Sequence, residues 1–505
     1  MPDLAEDSIN WFEMKGIAVR LQGRIVLEKV DWSFEKKEHW AILGGNGAGK
    51  STILRILAQQ ISYCKGTLRR HPELQGVTHL GWVHLNQPLR LLAHEKLKDR
   101  WEEYSGKEQK QQTIRSMFSE HMLAEKESKD LLHLMQLDSK IDRPIRGLSN
   151  GEWRKLLLFQ SLILLPKLLM LDEPFDGLDK NSSKDFKSLL RELVQHSKLS
   201  LILVSHRQDE LIPEITDVMG LRNGKIEYSG RRSSVLNEPN LKKLYRSETK
   251  STNTRKFQSG IIVSKFRNIE DSSISPVKME NVHLYFQSHT VFKDFSWTWP
   301  PGEHWQVAGP NGSGKSSLVK LIVGEHLQAY SNKVWIFGKR RGSGENIWDL
   351  RKRIGMVTPE LQMNYHKKIT GRKVVYSGFN DSIGYYGAIS EQQKETAENW
   401  LNQFDLFEIA ENSFLNMSYG QQRLFLLARA MVKSPEILLL DEPCQGLDPY
   451  QRSELINNIN LLGKSKATQI LYISHQVEDK LDCIGATIFL PDGRIERNLS
   501  AFQKF

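Results

Sequence analysis

The chain contains the same series of motifs twice, in the same order, and this repeat limits its fold more than any other feature. Residues 38–51 read EHWAILGGNGAGKS, and residues 303–316 read EHWQVAGPNGSGKS. Three further pairs of motifs follow in each half: GLSNGE with NMSYGQ, LLMLDEPFDGLD with ILLLDEPCQGLD, and VSH with ISH. A repeat on this scale predicts that one supersecondary unit is folded twice along a single chain.

The spacing inside each half is conserved between the two copies. Ser149 precedes Asp172 by 23 residues, and Ser418 precedes Asp441 by the same distance. The histidine of each VSH or ISH motif then lies 34 residues beyond its aspartate. Only the distance from the glycine-rich loop to the GLSNGE or NMSYGQ motif differs, by four residues. This agreement predicts one internal geometry for both halves.

The predicted fold is α/β, with one domain in residues 1–230, a second in 276–505 and a basic linker in 231–275. In each domain an apolar strand, HWAIL or HWQVA, leads into the glycine-rich loop and then into an amphipathic helix. LLMLD and ILLLD are short apolar runs that end in an acid, as buried strands of a mainly parallel sheet do. The charged segments 89–146 and 366–415 have a helical period, which predicts an inserted helical subdomain in each half.

Composition favours a globular protein of the cytoplasm. Hydrophobic residues make up 39% and charged residues 26% of the 505 residues, and no run of eighteen apolar residues occurs. The acidic start, MPDLAEDSIN, lacks the basic and apolar segments of a secretion signal. The three cysteines, Cys64, Cys444 and Cys483, form no CxxC pair, so we expect small buried residues in a reducing compartment.

The basic charge of the chain is concentrated in the predicted linker. The formal net charge is +10, and residues 231–275 hold ten Lys or Arg against four Asp or Glu. Two interpretations stay open: a solvated linker, or a strip that binds phosphate groups or a membrane surface.

The pattern G-x-x-x-x-G-K-[ST], between a predicted strand and a predicted helix, indicates a P-loop in each half. Its backbone N–H groups close around phosphate oxygens, its lysine reaches the β- and γ-phosphates, and its serine holds Mg²⁺. ATP and Mg²⁺ are therefore the expected ligands. The predicted binding residues are Gly44, Asn46, Gly47, Gly49, Lys50, Ser51 and Thr52 in the first half, and Gly309, Asn311, Gly312, Gly314, Lys315, Ser316 and Ser317 in the second.

An adjacent Asp-Glu pair follows each buried strand at a fixed distance from the P-loop. Asp172 and Asp441 are predicted to complete the Mg²⁺ shell, together with Ser51 and Ser316. The next residues, Glu173 and Glu442, can each accept a proton from an attacking water, so they are the candidate general bases.

This set of motifs resembles the ABC ATPase family over nearly the whole chain. The resemblance rests on Ser-x-Gly-[EQ] 23 residues before Asp-Glu, a Gly-Leu-Asp loop, and the later histidine. It implies a head-to-tail sandwich in which each signature (147–152 or 416–421) closes over the P-loop of the other half. It also implies γ-phosphate contacts from His206 and His475, coupling of the sites by Asp179 and Asp448, and ATP contacts from Ser149, Gly151, Ser418 and Gly420.

The two halves depart from the family pattern in different ways. The aromatic residue that stacks on adenine would be Tyr285 in the second half, where the first half has Arg20. Arg20 could stack on the base or could be a solvated edge residue. The family glutamine that senses water and Mg²⁺ is Gln87 in the first half. In the second half, Pro359 or Glu360 stands at that position, and Gln362 lies slightly beyond.

The stretch KRRGSGENIWDLRKRIG (339–355) resembles the ModF-type tandem ATP-binding proteins, which carry a molybdenum-transport label. The resemblance implies an ATP-hydrolysing subunit at the cytoplasmic face of the membrane that drives a separate integral membrane permease for molybdate or another small solute. A second hypothesis is a soluble ABC ATPase that acts on the ribosome or on nucleic acid, which the basic linker and a pI near 9.2 favour. The linker lacks the long charged helical hairpin of such factors.

Overall fold

The protein is described here by a computed structural model. It describes residues 9–21, 23–74, 79–84, 112–245, 274–286, 289–365, 369–474, 479 and 481–498. Two predicted site residues, Gln87 and His475, lie outside the described residues. So do residues 89–111 and 366–368 of the two predicted helical subdomains and residues 246–273 of the predicted linker.

The chain divides into two compact units, one built mainly from the residues up to Glu248 and the other mainly from Thr249 onwards. Each unit contains a six-stranded, mainly parallel sheet, a smaller antiparallel sheet and surrounding helices. The predicted α/β class with two sheet-and-helix domains is therefore confirmed.

The first unit has nine strands and seven helices among its described residues. Its strands are β1 (Asn10–Leu21), β2 (Arg24–Glu35), β3 (His39–Leu43), β4 (Lys65–Arg70), β5 (Leu80–His84), β6 (Leu168–Asp172), β7 (Ser200–Ser205), β8 (Asp217–Arg222) and β9 (Lys225–Arg231). Its helices are α1 (Lys50–Leu57), α2 (Glu120–Ala124), α3 (Lys126–Leu134), α4 (Asn150–Leu162), α5 (Lys180–His196), α6 (Arg232–Val235) and α7 (Glu238–Tyr245).

The second unit has ten strands and seven helices among its described residues. Its strands are β10 (Val277–Phe286), β11 (His289–Trp299), β12 (Trp305–Ala308), β13 (Lys333–Ile336), β14 (Lys339–Arg340), β15 (Ile354–Val357), β16 (Ile437–Asp441), β17 (Gln469–Ile473), β18 (Ala486–Phe489) and β19 (Arg494–Arg497). Its helices are α8 (Lys315–Val323), α9 (Ile347–Arg353), α10 (Pro359–Met363), α11 (Gly371–Tyr376), α12 (Glu391–Gln403), α13 (Tyr419–Met431) and α14 (Pro449–Lys464).

The two large sheets have matching topology. Their strand orders are β5-β6-β7-β3-β8-β9 and β15-β16-β17-β12-β18-β19. In each sheet the first five strands are parallel and only the last strand, β9 or β19, is antiparallel. The smaller sheets, β2-β1-β4 and β11-β10-β13-β14, are antiparallel.

Both faces of the parallel sheet in the first unit are covered by apolar side chains. Alternate residues of β3 enter different core clusters: Ala41 and Leu43 pack with the helices of the predicted helical subdomain, whereas Trp40 and Ile42 pack with β1 and α1. Because successive side chains of a strand point to opposite faces, this division means that both faces are buried. The burial of both faces explains the continuous apolar runs in the sequence.

Two expectations about the sequence differ from the structure. Residues 232–245, predicted as linker, form α6 and α7, and the buried Leu244 packs into the core of the first unit. The charged residues of α7, Glu238, Lys242 and Lys243, are exposed, and their composition concealed the helix. Cys64 is exposed, whereas Cys444 and Cys483 are buried as expected.

Within the described part of the chain, none of the helices is both long enough and apolar enough to span a bilayer.

Candidate functional site

The carboxyl ends of three neighbouring strands meet at one edge of the first parallel sheet. Leu43, the last residue of β3, pairs with Ser205, the last residue of β7. Asp172, the last residue of β6, pairs with Val204. The P-loop, Glu173 and the histidine after β7 therefore emerge side by side, where ligands bind in open α/β sheets. We call the P-loop 44–52 with Asp172, Glu173 and His206 the first site.

The second parallel sheet brings the equivalent residues to the same edge. Val307 of β12 and Asp441 of β16 both pair with Ile473, the last residue of β17. We call the P-loop 309–317 with Asp441 and Glu442 the second site. His475, the predicted fourth member, lies outside the described residues, so its role stays a prediction.

Each P-loop turns sharply into the helix that follows it, and glycine is required at the turn. Gly49 and Gly314 precede α1 and α8 with φ of 102° and 95°. A Cβ on Gly49 would lie 2.6 Å from Leu27 Cδ2, and one on Gly314 would lie 2.6 Å from Val291 Cγ1. Only glycine fits this left-handed, crowded position. The turn leaves the N–H groups of the helix start facing the loop, an arrangement that suits phosphate.

The P-loop lysines are buried and held by main-chain carbonyls. Lys50 is 5% exposed, and its Nζ donates to the carbonyl oxygens of Gly44 at 2.8 Å and Gly45 at 3.1 Å. Lys315 Nζ donates to the carbonyl oxygens of Gly309 at 2.9 Å and Pro310 at 2.8 Å. Both ammonium groups are thereby fixed inside the loops that are predicted to bind phosphate.

Glu173 connects Lys50 to His206 in the first site. Its Oε1 lies 3.2 Å from Lys50 Nζ, and its Oε2 lies 2.8 Å from His206 Nδ1. Burial disfavours the charge on Glu173, but Lys50 and His206 outweigh it and lower the pKa of this carboxyl to about 2. Burial also opposes protonation of His206, but the Glu173 carboxylate raises the pKa of the imidazole. Glu173 is therefore ionised at neutral pH and stabilised by two donors.

Both candidate bases have a strained main chain. Glu173 has φ of 50° and Glu442 has φ of 44°, which non-glycine residues seldom adopt. Their N–H groups donate to Val204 and Ile473 at 3.0 and 2.9 Å. Such a conformation costs on the order of 1–3 kcal/mol, so the surrounding contacts must hold it.

Asp172 has the properties expected of a magnesium ligand. Its Oδ1 is buried and has no hydrogen-bond partner among the residues that the structure describes. Burial and the adjacent Glu173 raise the pKa of Asp172 to about 6, although a hydrogen bond from Ser51 acts in the opposite direction. In the second site, burial, Glu442 and Glu360 raise the pKa of Asp441 to about 7. Hard oxygen donors of this kind suit Mg²⁺.

We expect Asp172→Asn to stabilise the protein at pH 8 when Mg²⁺ and nucleotide are absent. Because its pKa in the folded state lies above the unfolded value, Asp172 favours folding at low pH, and this contribution is lost as the pH rises from about 4 to about 6. The shift corresponds to at most about 3 kcal/mol in the free energy of unfolding. Urea denaturation in EDTA at pH 8 and pH 4 measures it.

The exposed Asp130 on α3 provides the control for this substitution, because Asp130→Asn should leave the free energy of unfolding unchanged at both pH values. An Asp172→Asn variant that is less stable than wild type at pH 8 would contradict the assignment.

The signatures lie at the starts of α4 and α13. Ser149 and Ser418 are the N-cap residues, and their side chains accept hydrogen bonds from the N–H groups of Glu152 and Gln421. The Glu152 and Gln421 side chains accept in return from the N–H groups of the serines, which completes a capping box in each half. This explains the Glu or Gln of the signature structurally. The ATP contacts predicted for Ser149, Gly151, Ser418 and Gly420 stay predictions.

Asp179 has a local structural role in the first unit. It is the N-cap of α5, and its side chain accepts from Ser182 N at 2.9 Å. The coupling function that the family resemblance implies for Asp179 and Asp448 stays a prediction.

The candidate adenine-binding residues differ in their setting. Tyr285 is 48% exposed in β10, and its main chain is held by Gln328, which donates to Tyr285 O at 2.8 Å and accepts from Tyr285 N at 3.0 Å. Its ring is therefore accessible on a fixed backbone. Arg20 is exposed in β1 and pairs with Ile25. Stacking on adenine by either residue stays a prediction.

The register of the sheets aligns the ends of β5 and β15. His84 pairs with Asp172, and Val357 pairs with Leu440, so Thr358 is the counterpart of His84. Because Gln87 lies outside the described residues, the placement of Pro359 or Glu360 at its position stays a prediction.

Gln362 is occupied elsewhere in the second unit. It is 5% exposed, and its Nε2 donates to Gln422 Oε1 at 2.5 Å on α13. Glu360, in contrast, lies close enough to Asp441 to affect its pKa. In the second site, Glu360 thus lies near the candidate magnesium ligand Asp441, whereas the Gln362 amide is bound to α13.

Two P-loops, each accompanied by an Asp-Glu pair, define a nucleotide-binding protein with two cassettes. In the first site, the candidate base also contacts a histidine. The family model described as ABC transporter matches residues 27–176 and 292–445. The chain belongs to this family, as the motifs predicted.

The chain is similar to other ABC transporter ATP-binding proteins over nearly their whole length. The chain is 34% identical to the ABC transporter ATP-binding protein ModF of Escherichia coli (strain K12) over 95% of this chain and 96% of that protein. It is 27% identical to an uncharacterized ABC transporter ATP-binding protein of Schizosaccharomyces pombe over 93% and 96% of the two chains. The crystal structure of a nucleotide-free ATP-binding cassette from an ABC transporter is 22% identical, with a TM-score of 0.39 over 46% of this chain and 94% of that one.

Proposed function

We propose that the chain is the ATP-hydrolysing subunit of an ABC transporter, with one ATP and one Mg²⁺ at each P-loop. The observation that carries the proposal is the buried cluster of Lys50, Glu173 and His206 beside the first P-loop. Burying charge is costly, so a neutral pair would stabilise the fold better than an ionised carboxylate next to a lysine. The cluster is readily explained as catalytic.

Different residues of each site would bind the phosphates of ATP and the Mg²⁺ ion. Lys50 and Lys315 would bind the β- and γ-phosphates, and the helix starts behind them favour negative charge. Asp172 with Ser51, and Asp441 with Ser316, would hold Mg²⁺. When bound, Mg²⁺ neutralises the phosphate charge that develops during transfer. Buried Asn311 Nδ2 and Ser313 Oγ of the second P-loop have no hydrogen-bond partners among the described residues, and phosphate oxygens would satisfy both.

Glu173 is the proposed general base of the first site, and Glu442 that of the second. The oxygen of a water attacks the γ-phosphorus while the bond to the β–γ bridging oxygen breaks, and the water proton passes to the glutamate. The products are ADP and inorganic phosphate. In the absence of nucleotide, Lys50 and His206 lower the pKa of Glu173 and so make it a weak base. Transfer of these two donors to the γ-phosphate would raise the basicity of Glu173 when substrate is present.

The proposal includes intramolecular pairing of the two halves, as the family resemblance implies. Ser418 and Gly420 would complete the first site, and Ser149 and Gly151 the second. Each of these serines stands at the start of a helix, which supports this role because a helix N-terminus favours phosphate.

The proposed partner is an integral membrane permease on whose cytoplasmic face this chain works. The names of the relatives, which are ABC transporter ATP-binding proteins, support this assignment. The cargo, molybdate or another small solute, is proposed on the resemblance of residues 339–355 alone.

Affinity purification tests the choice of partner. A tagged Glu173→Gln/Glu442→Gln variant, which should retain ATP, is purified from solubilised cells with MgATP, and the co-purifying proteins are identified. Recovery of one integral membrane protein is the expected result, and it should not be recovered with a Lys50→Met/Lys315→Met variant. Recovery of ribosomes or nucleic acid would overturn the transport role and favour the soluble factor, without affecting the proposed ATP hydrolysis.

A further inference from the structure

The last helix of the first unit reaches the first site. Helix α7 ends at Tyr245, whose hydroxyl donates a hydrogen bond to the main-chain carbonyl oxygen of His206 at 2.7 Å. The preceding residue, Leu244, is 3% exposed and packs into the core, and the ring of Tyr245 packs against the same core. The Tyr245 side chain is thus fixed by the packing of the helix end, and its hydroxyl is held in place.

The chain around His206 is fixed from two directions. On one side, the Ser205 hydroxyl donates to the Glu210 carboxylate and accepts from Arg207 N at 2.8 Å. On the other side, Tyr245 binds the carbonyl of His206 itself. The imidazole between them is 4% exposed and lies 2.8 Å from Glu173 Oε2. Any rotation of the His206 peptide would move this ring relative to the base.

We propose that Tyr245 is a positioning residue of the first site, which holds His206 where it contacts Glu173 and, in the presence of ATP, the γ-phosphate. This inference rests on the proposed ATP hydrolysis. The proposed role of Tyr245 is exerted through its hydrogen bond to His206. Burial raises the pKa of Tyr245 well above its usual range, so its hydroxyl remains a donor at every physiological pH. Misplacement by about 1 Å can cost up to about 100-fold in rate.

The first unit contains a matched control. Tyr228 of β9 packs against the same core as Tyr245, and its hydroxyl is also buried. That hydroxyl, however, has no hydrogen-bond partner among the residues that the structure describes. Tyr228→Phe and Tyr245→Phe therefore remove the same atom from one core, but only the second change releases His206.

Single-turnover hydrolysis of MgATP by the full-length protein tests the inference. With Tyr245→Phe, at least half of the bound ATP should be hydrolysed about three- to tenfold more slowly than in wild type, as expected for one lost hydrogen bond. The affinity for ADP, which lacks the γ-phosphate, should match that of Tyr228→Phe, and the thermal midpoint should fall by no more than a few degrees, as expected for one lost hydrogen bond. Tyr228→Phe should hydrolyse ATP at the wild-type rate.

Three results would overturn the inference. They are wild-type hydrolysis of all bound ATP by Tyr245→Phe, equal slowing by Tyr228→Phe, or a loss of ADP affinity in Tyr245→Phe, which would indicate general disruption of the domain. A wild-type protein that hydrolyses no ATP would instead overturn the proposed function, and the inference with it.

Discussion

Replacing both Glu173 and Glu442 with glutamine is expected to lower ATP turnover by about 10²–10⁴-fold, the usual contribution of a general base. Glutamine keeps the size of the side chain but cannot accept a proton from the attacking water. Each single substitution should remove at least the share of the turnover that its own site contributes, because it silences one of two sites. Steady-state release of phosphate at saturating MgATP measures the effect.

The exposed Glu192 on α5 supplies the control, and Glu192→Gln should hydrolyse ATP at the wild-type rate. ATP should still bind to the double variant, since the P-loops are untouched. Unchanged turnover in both single variants would refute the assignment of the bases.

The second large effect is expected from Lys50→Met in the absence of nucleotide. Lys50 Nζ lies 3.2 Å from Glu173 Oε1, and both groups are largely buried. Removing one partner of a buried ion pair leaves the other charge buried and unpaired. This lowers the free energy of unfolding by on the order of 3 kcal/mol. His206, which remains beside Glu173, should offset part of this loss. Urea denaturation of the nucleotide-free protein measures it.

A double substitution identifies the cause of that destabilisation. Lys50→Met/Glu173→Gln should recover most of the lost stability, because no unpaired carboxylate remains, but it should not recover ATP binding. Lys36→Met breaks only a half-exposed ion pair with Glu73, so it should change the stability by less than about 1 kcal/mol. A double variant that is less stable than Lys50→Met would show that the ion pair does not explain the effect.

Local sequence was sufficient to predict the elements that position the site. HWAIL and LLMLD are strands, the P-loop opens a helix, and the signature serines are helix caps. These features depend on neighbouring residues: apolar runs become buried strands, and serine with glutamate three positions later forms a capping box. The helix that the P-loop of the first half opens is short and ends at Leu57.

Contacts between residues distant in the chain could not be predicted in this way. Tyr245 is 39 positions from His206, and the stretch that contains it is basic enough to suggest a linker. The occupation of Gln362 by Gln422 depends on how α10 packs against α13. The left-handed conformation of Glu173 is set by the turn between β6 and the following loop, and nothing in the residue type indicates it.

The inequality of the two sites is also better defined by the structure than by the motifs. The sequence shows that the second half lacks a glutamine where the first has Gln87. The structure adds that Glu360 lies close enough to Asp441 to raise its pKa. An additional acid beside this candidate magnesium ligand should alter metal affinity in the second site relative to the first.

Both halves of this chain are proposed to be ATP sites. Equilibrium binding of radiolabelled ATP to the full-length Glu173→Gln/Glu442→Gln variant, with Mg²⁺ present, tests this proposal. Two ATP molecules should bind per chain, and only one when either Lys50→Met or Lys315→Met is added. Saturation at one ATP per chain, or none, would contradict it.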